Sequence, residues 1–356
     1  MIFTKHIKPY SILLLSVLLI GCSKSQKLEV KSNDIYLKIL GTIQDGGIPH
    51  MGCNKKCCKN YFLNQNRRMG VSSIGITNLK YDTNYLIDAT PDVNFQLESL
   101  IGSANPSEKL NGIFLTHAHM GHYAGLLNFG RESLNSVNIP LYLMPKFHDF
   151  ILNNGPWNQL VTLKNINLFE INADKELILD DNLSITPVQV PHRDEYSETV
   201  GFVIKGKSKK ALYIPDIDKW EKWNVSIVES IKNVDYAFLD GTFYDQKEIN
   251  NRDMSEIPHP FIIESLDLFS KLSKAEKEKI YFIHLNHTNP VLDKESKEYE
   301  NVVSKGFNIA EIDINNRFDS IFVKDTNTIF SVIDRTVYEI DLSNNTSSVY
   351  GTLDSS

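Results

Sequence analysis

The sequence runs to 356 residues, 42% of them hydrophobic and 23% charged, which supplies enough apolar material for a large core and makes wholesale disorder the wrong default. A formal net charge of −7 with scattered lysines leaves no electrostatic footprint for nucleic acid, because backbone binding needs clustered Lys and Arg. No repeat of solenoid period and no low-complexity stretch divides the chain.

The first residues stand apart from the rest. Lys5 and Lys8 precede an apolar run at 11–20 (SILLLSVLLI) that is too short to span a bilayer comfortably, and Gly21 and Cys22 follow at once. LLIGC resembles a bacterial lipoprotein processing site. That resemblance implies a signal peptide over 1–21, cleavage before Cys22, lipid on Cys22, a polar tether over 22–34 and a lipid-anchored, extracytoplasmic place in a bacterial envelope. Without Cys22 the chain keeps Cys53, Cys57 and Cys58, an odd number with two adjacent, which points to metal rather than to a disulfide framework.

Residues 35–43 (IYLKILGTI) predict a first strand that runs into the glycine-rich loop QDGGIPHMGC. SSIGITNL (72–79) and NYLID (84–88) predict a hairpin around the polar YDT, followed by a helix over 92–101 and a strand, NGIFLT, at 111–116. AGLLNF reads as helix and IPLYLM (139–144) as a buried strand. Residues 161–190 carry several short strands ending in LSITPVQV. GFVIKG, ALYIPD and YAFLDG then supply strands at 201–206, 211–216 and 236–241. FIIESLDLFSKL (261–272) predicts an amphipathic helix, KIYFIHLN (279–286) a strand, and GFNIAEI, DSIFVK, TIFSVI and TVYEIDL strands in the tail. Strands with interleaved helices and polar residues at their ends predict one layered α/β domain over 35–345 with its site built from loops.

Residues 116–122 read THAHMGH, placing His117, His119 and His122, three of the ten histidines, within six positions at the end of a predicted strand. Two histidines two apart face one metal from a loop, and a third returns to it if the chain turns into a helix. Imidazole suits zinc or iron with a position left open for water. Here the sequence resembles the metallo-β-lactamase-fold superfamily, whose signature is HxHxDH after a hydrophobic strand. Its later landmarks follow in order: Asp88 before the cluster, then His192, Asp216 in YIPDID and His284 in YFIHLN. The resemblance implies a four-layer αβ/βα sandwich, with His117, His119 and His192 on a first metal, Asp216 bridging, and His122 and His284 on a second. Where the family has its aspartate this chain has Gly121, so the second site is expected to bind weakly, recruit another donor or stay empty.

A closer resemblance is to the branch containing the PQQ-biosynthesis B protein, carried by LGTIQDGGIPHMGCNKKCC, SSIGI, LIDATPD, LDGTFY, RDMSEIPHP and HLNHTNP. That branch is linked to oxidative maturation of a peptide-derived cofactor, whereas related branches are phosphodiesterases. Cys53, Cys57 and Cys58 offer three soft ligands on one loop, with His50 as a local fourth and His287 as a distant one. The phosphodiesterase branch, which shares a zinc between its cysteine-rich opening and a late histidine, favours His287. Such a zinc would be structural.

These residues predict a metal-dependent hydrolase of a phosphodiester or related small ester, in which the metal lowers the pKa of a bound water. The expected cofactors are zinc, one ion structural and one or two catalytic, with iron as the other metal the catalytic histidines suit. Asp216, if it does not bridge two metals, is expected to orient the water and accept its proton, and Asp88 to fix a histidine tautomer, while the resemblance to the late family motifs implies that Asp240 and His259 handle substrate or protons at the mouth. Loops 130–160 and 241–260 are expected to shape a small-molecule substrate pocket, with Trp157, Trp220 and Tyr244 either its apolar walls or residues of the core. The alternatives are an iron-dependent oxygenase or oxidase like the PQQ branch, and a surface lipoprotein that only binds.

Overall fold

The computed structural model describes residues 35–63, 69–248, 257–312, 321–325, 328–333, 336–341 and 346–352. The lipoprotein segment, Cys22 and the tether lie outside these residues, as does much of RDMSEIPHP. Among the described residues no helix is long and apolar enough to cross a membrane.

Two mixed sheets form the body. The first takes its strands in chain order: β1 (Ile35–Gly41), β2 (Ser73–Asn78), β3 (Thr83–Ile87), β4 (Leu110–Phe114), β5 (Ile139–Leu143) and β6 (Ile166–Glu170). β1, β2 and β3 are antiparallel, and β3 to β6 run parallel. The second sheet comprises β7 (Leu177–Ile178), β8 (Ser184–Gln189), β9 (Val200–Lys205), β10 (Lys210–Ile214), β11 (Tyr236–Asp240), β12 (Ile280–Ile283) and β13 (Asn308–Ile309). It repeats the plan, antiparallel from β7 to β10 and parallel from β10 to β13.

Side-chain alternation along single strands shows the layers. Phe114 joins a core with Ile74, Phe202, Tyr213 and Ile283 from both sheets, whereas its neighbours Ile113 and Leu115 turn to the core under the helices with Leu97, Phe147 and Ile151. Tyr213 likewise faces the other sheet while Leu212 and Ile214 face Ile262, Leu266 and Phe269. Each such side chain contributes about 1.5–3 kcal/mol on burial. The helices supplying the outer layers include α2 (Val93–Ile101), α5 (Pro145–Asn153) and α8 (Ile262–Leu268). The result is the four-layer αβ/βα sandwich that the resemblance implied.

Local differences from the sequence expectations have physical causes. AGLLNF is a 3-10 segment, Ala124–Phe129, rather than an α-helix. GFNIAEI keeps only two paired residues because β13 is an edge strand that pairs on one side. The stretch expected as a specificity loop over 130–160 contains α5 and α6 (Trp157–Thr162), each with a proline at its opening turn or N-cap. Trp220 and Tyr244, open between pocket wall and core in the sequence, are buried in the core beneath the second sheet. The tail strands β14 (Ile321–Asp325), β15 (Thr328–Ile333), β16 (Thr336–Asp341) and β17 (Thr346–Thr352) form an antiparallel sheet of their own.

Candidate metal centre

The carboxyl ends of the parallel strands deliver the chemistry. His117 and His119 follow β4, His122 sits in the one-turn helix α4 (Met120–Tyr123), Asp216 follows β10 and His284 follows β12, while His192 follows the antiparallel β8. Asp88 and His284, at φ 68° and 63°, hold the left-handed conformation, a backbone strain that strand ends at functional sites commonly store.

His117, His119, His192 and Asp216 form one ligand group. His117 Nε2 lies 3.2 Å from Asp216 Oδ2, His192 Nε2 3.2 Å from Asp216 Oδ1, and His117 Nε2 2.8 Å from His119 Nδ1. Asp45, His122 and His284 form a second group. Asp216 Oδ2 is 3.8 Å from His122 Nε2 and 3.9 Å from His284 Nε2, so its carboxylate lies between the two sets.

Each half of the sandwich orients its imidazoles through an Asp–Thr pair. Thr116 donates from N and Oγ1 to Asp88 and accepts from His117 Nδ1 at 3.0 Å, while His122 Nδ1 donates to Asp88 Oδ2 at 2.8 Å. In the other half Thr242 Oγ1 donates to Asp240 Oδ1 at 2.7 Å and accepts from His284 Nδ1 at 2.8 Å. With Nδ1 protonated in all three rings, each Nε2 lone pair is left for a metal.

The residues fit metal ions. His122 Nε2, both ring nitrogens of His192, His284 Nε2, Asp45 Oδ1 and Asp216 Oδ1 are buried with no hydrogen-bond partner, a concentration of desolvated polar atoms that a fold tolerates where cations complete it. Burial alone would raise Asp216, yet the surrounding His192, His259 and His284 hold it well below the ordinary carboxylate range. Burial, then the neighbouring His122, pushes His117 well below the usual imidazole value, which keeps it in the neutral form that ligates. His122 goes the other way. Burial opposes its charge, but Asp88 and Asp45 outweigh that and raise it well above the usual imidazole value.

Cys53, Cys57, Cys58 and His287 make a separate cage. Cys53 Sγ is 3.8 Å from Cys57 Sγ, Cys57 Sγ 4.0 Å from Cys58 Sγ, and His287 Nδ1 3.7 and 3.4 Å from Cys57 and Cys58. A tetrahedral zinc with bonds of about 2.3 Å to sulfur and 2.0–2.1 Å to nitrogen spaces its ligands by roughly 3.5–3.8 Å, so the cage has the size of that ion. Burial, then His50 and Lys55, lowers His287 to about 4 and leaves it neutral. His50, the local alternative, instead stacks on His287 with ring centroids 4.3 Å apart and donates from its backbone N–H to Cys58 Sγ.

Residues 83–285, more than half of the chain, match the family described as the beta-lactamase superfamily domain. The chain belongs to the beta-lactamase superfamily. Among curated relatives of this superfamily member, coenzyme PQQ synthesis protein B of Pseudomonas fluorescens (strain Pf0-1) is 25% identical over 313 residues, covering 78% of this chain and 97% of the relative. The same protein of Acinetobacter baumannii (strain SDF) is 25% identical over 304 residues with the same coverage. Zn²⁺-bound PqqB from Methylobacterium extorquens superposes with a TM-score of 0.63 at 22% identity, covering 78% of this chain and 97% of that one. A diphosphatase of the PhnP family gives 0.55 at 21%, covering 78% and 94%. Fold, family and metal clusters together make this a metal-dependent enzyme of the superfamily with PqqB-like relatives.

The structure brings every metal residue named from sequence into one of these clusters, His287 included. His259 and Asp240 lie at the centre: His259 Nδ1 is 2.9 Å from Asp240 Oδ2 and 3.2 Å from Asp216 Oδ1. Burial works against a charge on His259, but Asp240 and Asp216 raise it to about 10. Asp240 also accepts from the backbone N–H groups of Ile217 and Thr242, so it is a buried hub rather than a group at the mouth. Sequence reasoning missed Asp45. The loop QDGGIPH carried it, without any spacing relation to the histidines.

Proposed function

We propose that this protein is an oxygen-using metalloenzyme of the PqqB type, acting on a small, electron-rich ring with iron as the catalytic metal. The observation that carries the reading is similarity along 97% of the length of the PQQ synthesis proteins, in a chain that keeps buried imidazole-rich clusters. Imidazole with a few carboxylates suits iron as well as zinc, and the bound metal would supply Lewis-acid and redox chemistry at His117, His119, His192 and Asp216. Protonated His259, its Nδ1 held by Asp240 with the Asp216 carboxylate nearby, serves as proton donor through Nε2. Tyr196, 59% exposed on the loop after His192, packs tilted against Phe150 with ring centroids 5.4 Å apart, and Phe150 with Trp157 and Tyr123 forms an aromatic wall suited to a flat substrate.

Because a quinone arises by oxidation of an electron-rich ring, the test is dioxygen uptake by iron-loaded protein with a small catechol. Metal-dependent uptake is expected from the iron form and not from the zinc form. A second reading, hydrolysis of a phosphodiester or diphosphate, is favoured by the Asp216 carboxylate lying between two ligand sets, the arrangement two-metal hydrolysis uses. Turnover of bis(4-nitrophenyl) phosphate by the zinc form, with no oxygen uptake by the iron form, would put that reading in place of the first.

The reading includes a lipid anchor on Cys22 and an extracytoplasmic site reached by small molecules. Cys22→Ser is expected to move the chain from the membrane to the soluble fraction of bacterial cells. Unchanged membrane fractionation would remove the anchor from the account.

A further inference from the structure

The motif leaves residue 121 without a carboxylate, and the space it would fill is taken. A Cβ on Gly121 would lie 2.1 Å from Asp45 Oδ1 and 2.6 Å from Asp45 Cα, closer than real Cβ contacts come. Asp45 arrives from the loop after β1, far away in sequence. We propose that Asp45 is a direct ligand of the second metal, a carboxylate supplied from another loop in place of residue 121, and that glycine is required at 121 to admit it.

The geometry of this group is that of an ion-sized gap. Asp45 Oδ1 is 3.3 Å from His122 Nε2 and 3.8 Å from His284 Nε2, and Asp216 Oδ2 stands 3.8 and 3.9 Å from the same nitrogens. Zinc bonds of about 2.0–2.2 Å to nitrogen and oxygen span such separations, and Asp45, His122 and His284 would hold the ion with Asp216 beside it. Gln44 Nε2 donates to Asp45 Oδ2 at 3.3 Å, which fixes the carboxylate with Oδ1 toward the histidines. Asp45 Oδ1, His122 Nε2 and His284 Nε2 are each buried without a hydrogen-bond partner. Burial would raise Asp45, but His122 and His284 hold it well below the usual carboxylate range, in its ligating form.

The inference rests on metal dependence of the centre, and not on which reaction it runs. The test strips the full-length chain with chelator, titrates it with Zn²⁺ and counts zinc per chain by elemental analysis, with far-UV circular dichroism as the check of folding. Wild type should bind three zinc ions, one in the cysteine cage and two in the centre. Asp45→Asn should bind two, with affinity at the second site lower by more than the roughly 10–100-fold that an outer partner contributes. Gly121→Ala should give the same pattern, since its methyl group displaces the Asp45 carboxylate. Gly121→Asp, the repair that the motif alone suggests, collides with the Asp45 backbone and should restore nothing. Three zinc ions at wild-type affinity in folded Asp45→Asn would overturn the proposal, as would a wild type with one zinc in the centre. If Asp45→Asn does not fold, Gly121→Ala decides on the same count. Absence of oxygen uptake or ester hydrolysis leaves these zinc counts unaffected, so the two readings fail separately.

Discussion

His117→Ala is expected to abolish turnover and remove the first catalytic metal while leaving the cysteine-bound metal in place. His117 is buried, its Nδ1 is tied to Thr116 Oγ1, and its Nε2 stands 3.2 Å from Asp216 Oδ2 and 2.8 Å from His119 Nδ1. It therefore enters the centre already in one rotamer and one protonation state, with no ordering left to do when an ion binds. Alanine removes one of the three imidazoles that share the first site with Asp216. The fall in activity should exceed the roughly 10–100-fold that outer partners give, because the lost group is a ligand. The loop should keep its path, since Ala118 N still donates to Ser197 Oγ and Val200 N to the Thr116 carbonyl. Elemental analysis beside a rate assay checks this. Full metal retention by His117→Ala would remove it from the ligand set.

Much of the centre could be read from sequence because of how the fold makes sites. His117, Asp216 and His284 each follow a short apolar run that becomes a strand buried on both faces, and a polar residue at such an end has to emerge into a loop. The pattern that predicts the strand thus locates the ligand. The hairpin of β2 and β3 and the helix α2 were legible for the same reason, as period-two and period-3.6 patterns of long enough run.

Asp45 was not legible, because nothing in a glycine-rich loop says which way its carboxylate points. Its role appears only as a steric relation with Gly121, a contact between positions remote in sequence. The Asp–Thr–His relays were half visible. Asp88 suggested a tautomer-fixing carboxylate, but Thr116 and Thr242 look like ordinary strand-end residues until their hydroxyls are placed between acid and imidazole. Trp220 stays open between pocket wall and core in the sequence, because composition does not distinguish an aromatic wall from a core residue. Its indole N–H finds Ser265 Oγ at 2.9 Å inside the protein, which lets the ring be buried.

Cys57→Ala is expected to empty the cysteine cage, lower thermal stability and weaken the second catalytic metal while sparing the first. The cage joins two segments. One carries Cys53 and the start of helix α1 (Lys56–Leu63), and the other carries His287, three residues beyond His284. They already touch through Gln44 N to the Leu285 carbonyl and Leu285 N to the Thr42 carbonyl, at 2.9 and 2.8 Å. Zinc binding contributes about 10–16 kcal/mol in small domains that fold only with metal. Here three hydrophobic cores hold the sheets without it, so the expected loss is nearer that of a large core truncation, roughly 2–5 kcal/mol. Asp45 and His284 sit on the two segments that the cage staples, whereas His117, His119, His192 and Asp216 sit on neither. Loosening the staple should therefore reach the second metal and leave the first, the opposite order of loss from His117→Ala. Thermal melts and zinc counts on both variants read this directly. Loss of the same single ion from both would mean that the cage and the centre are not separate sites.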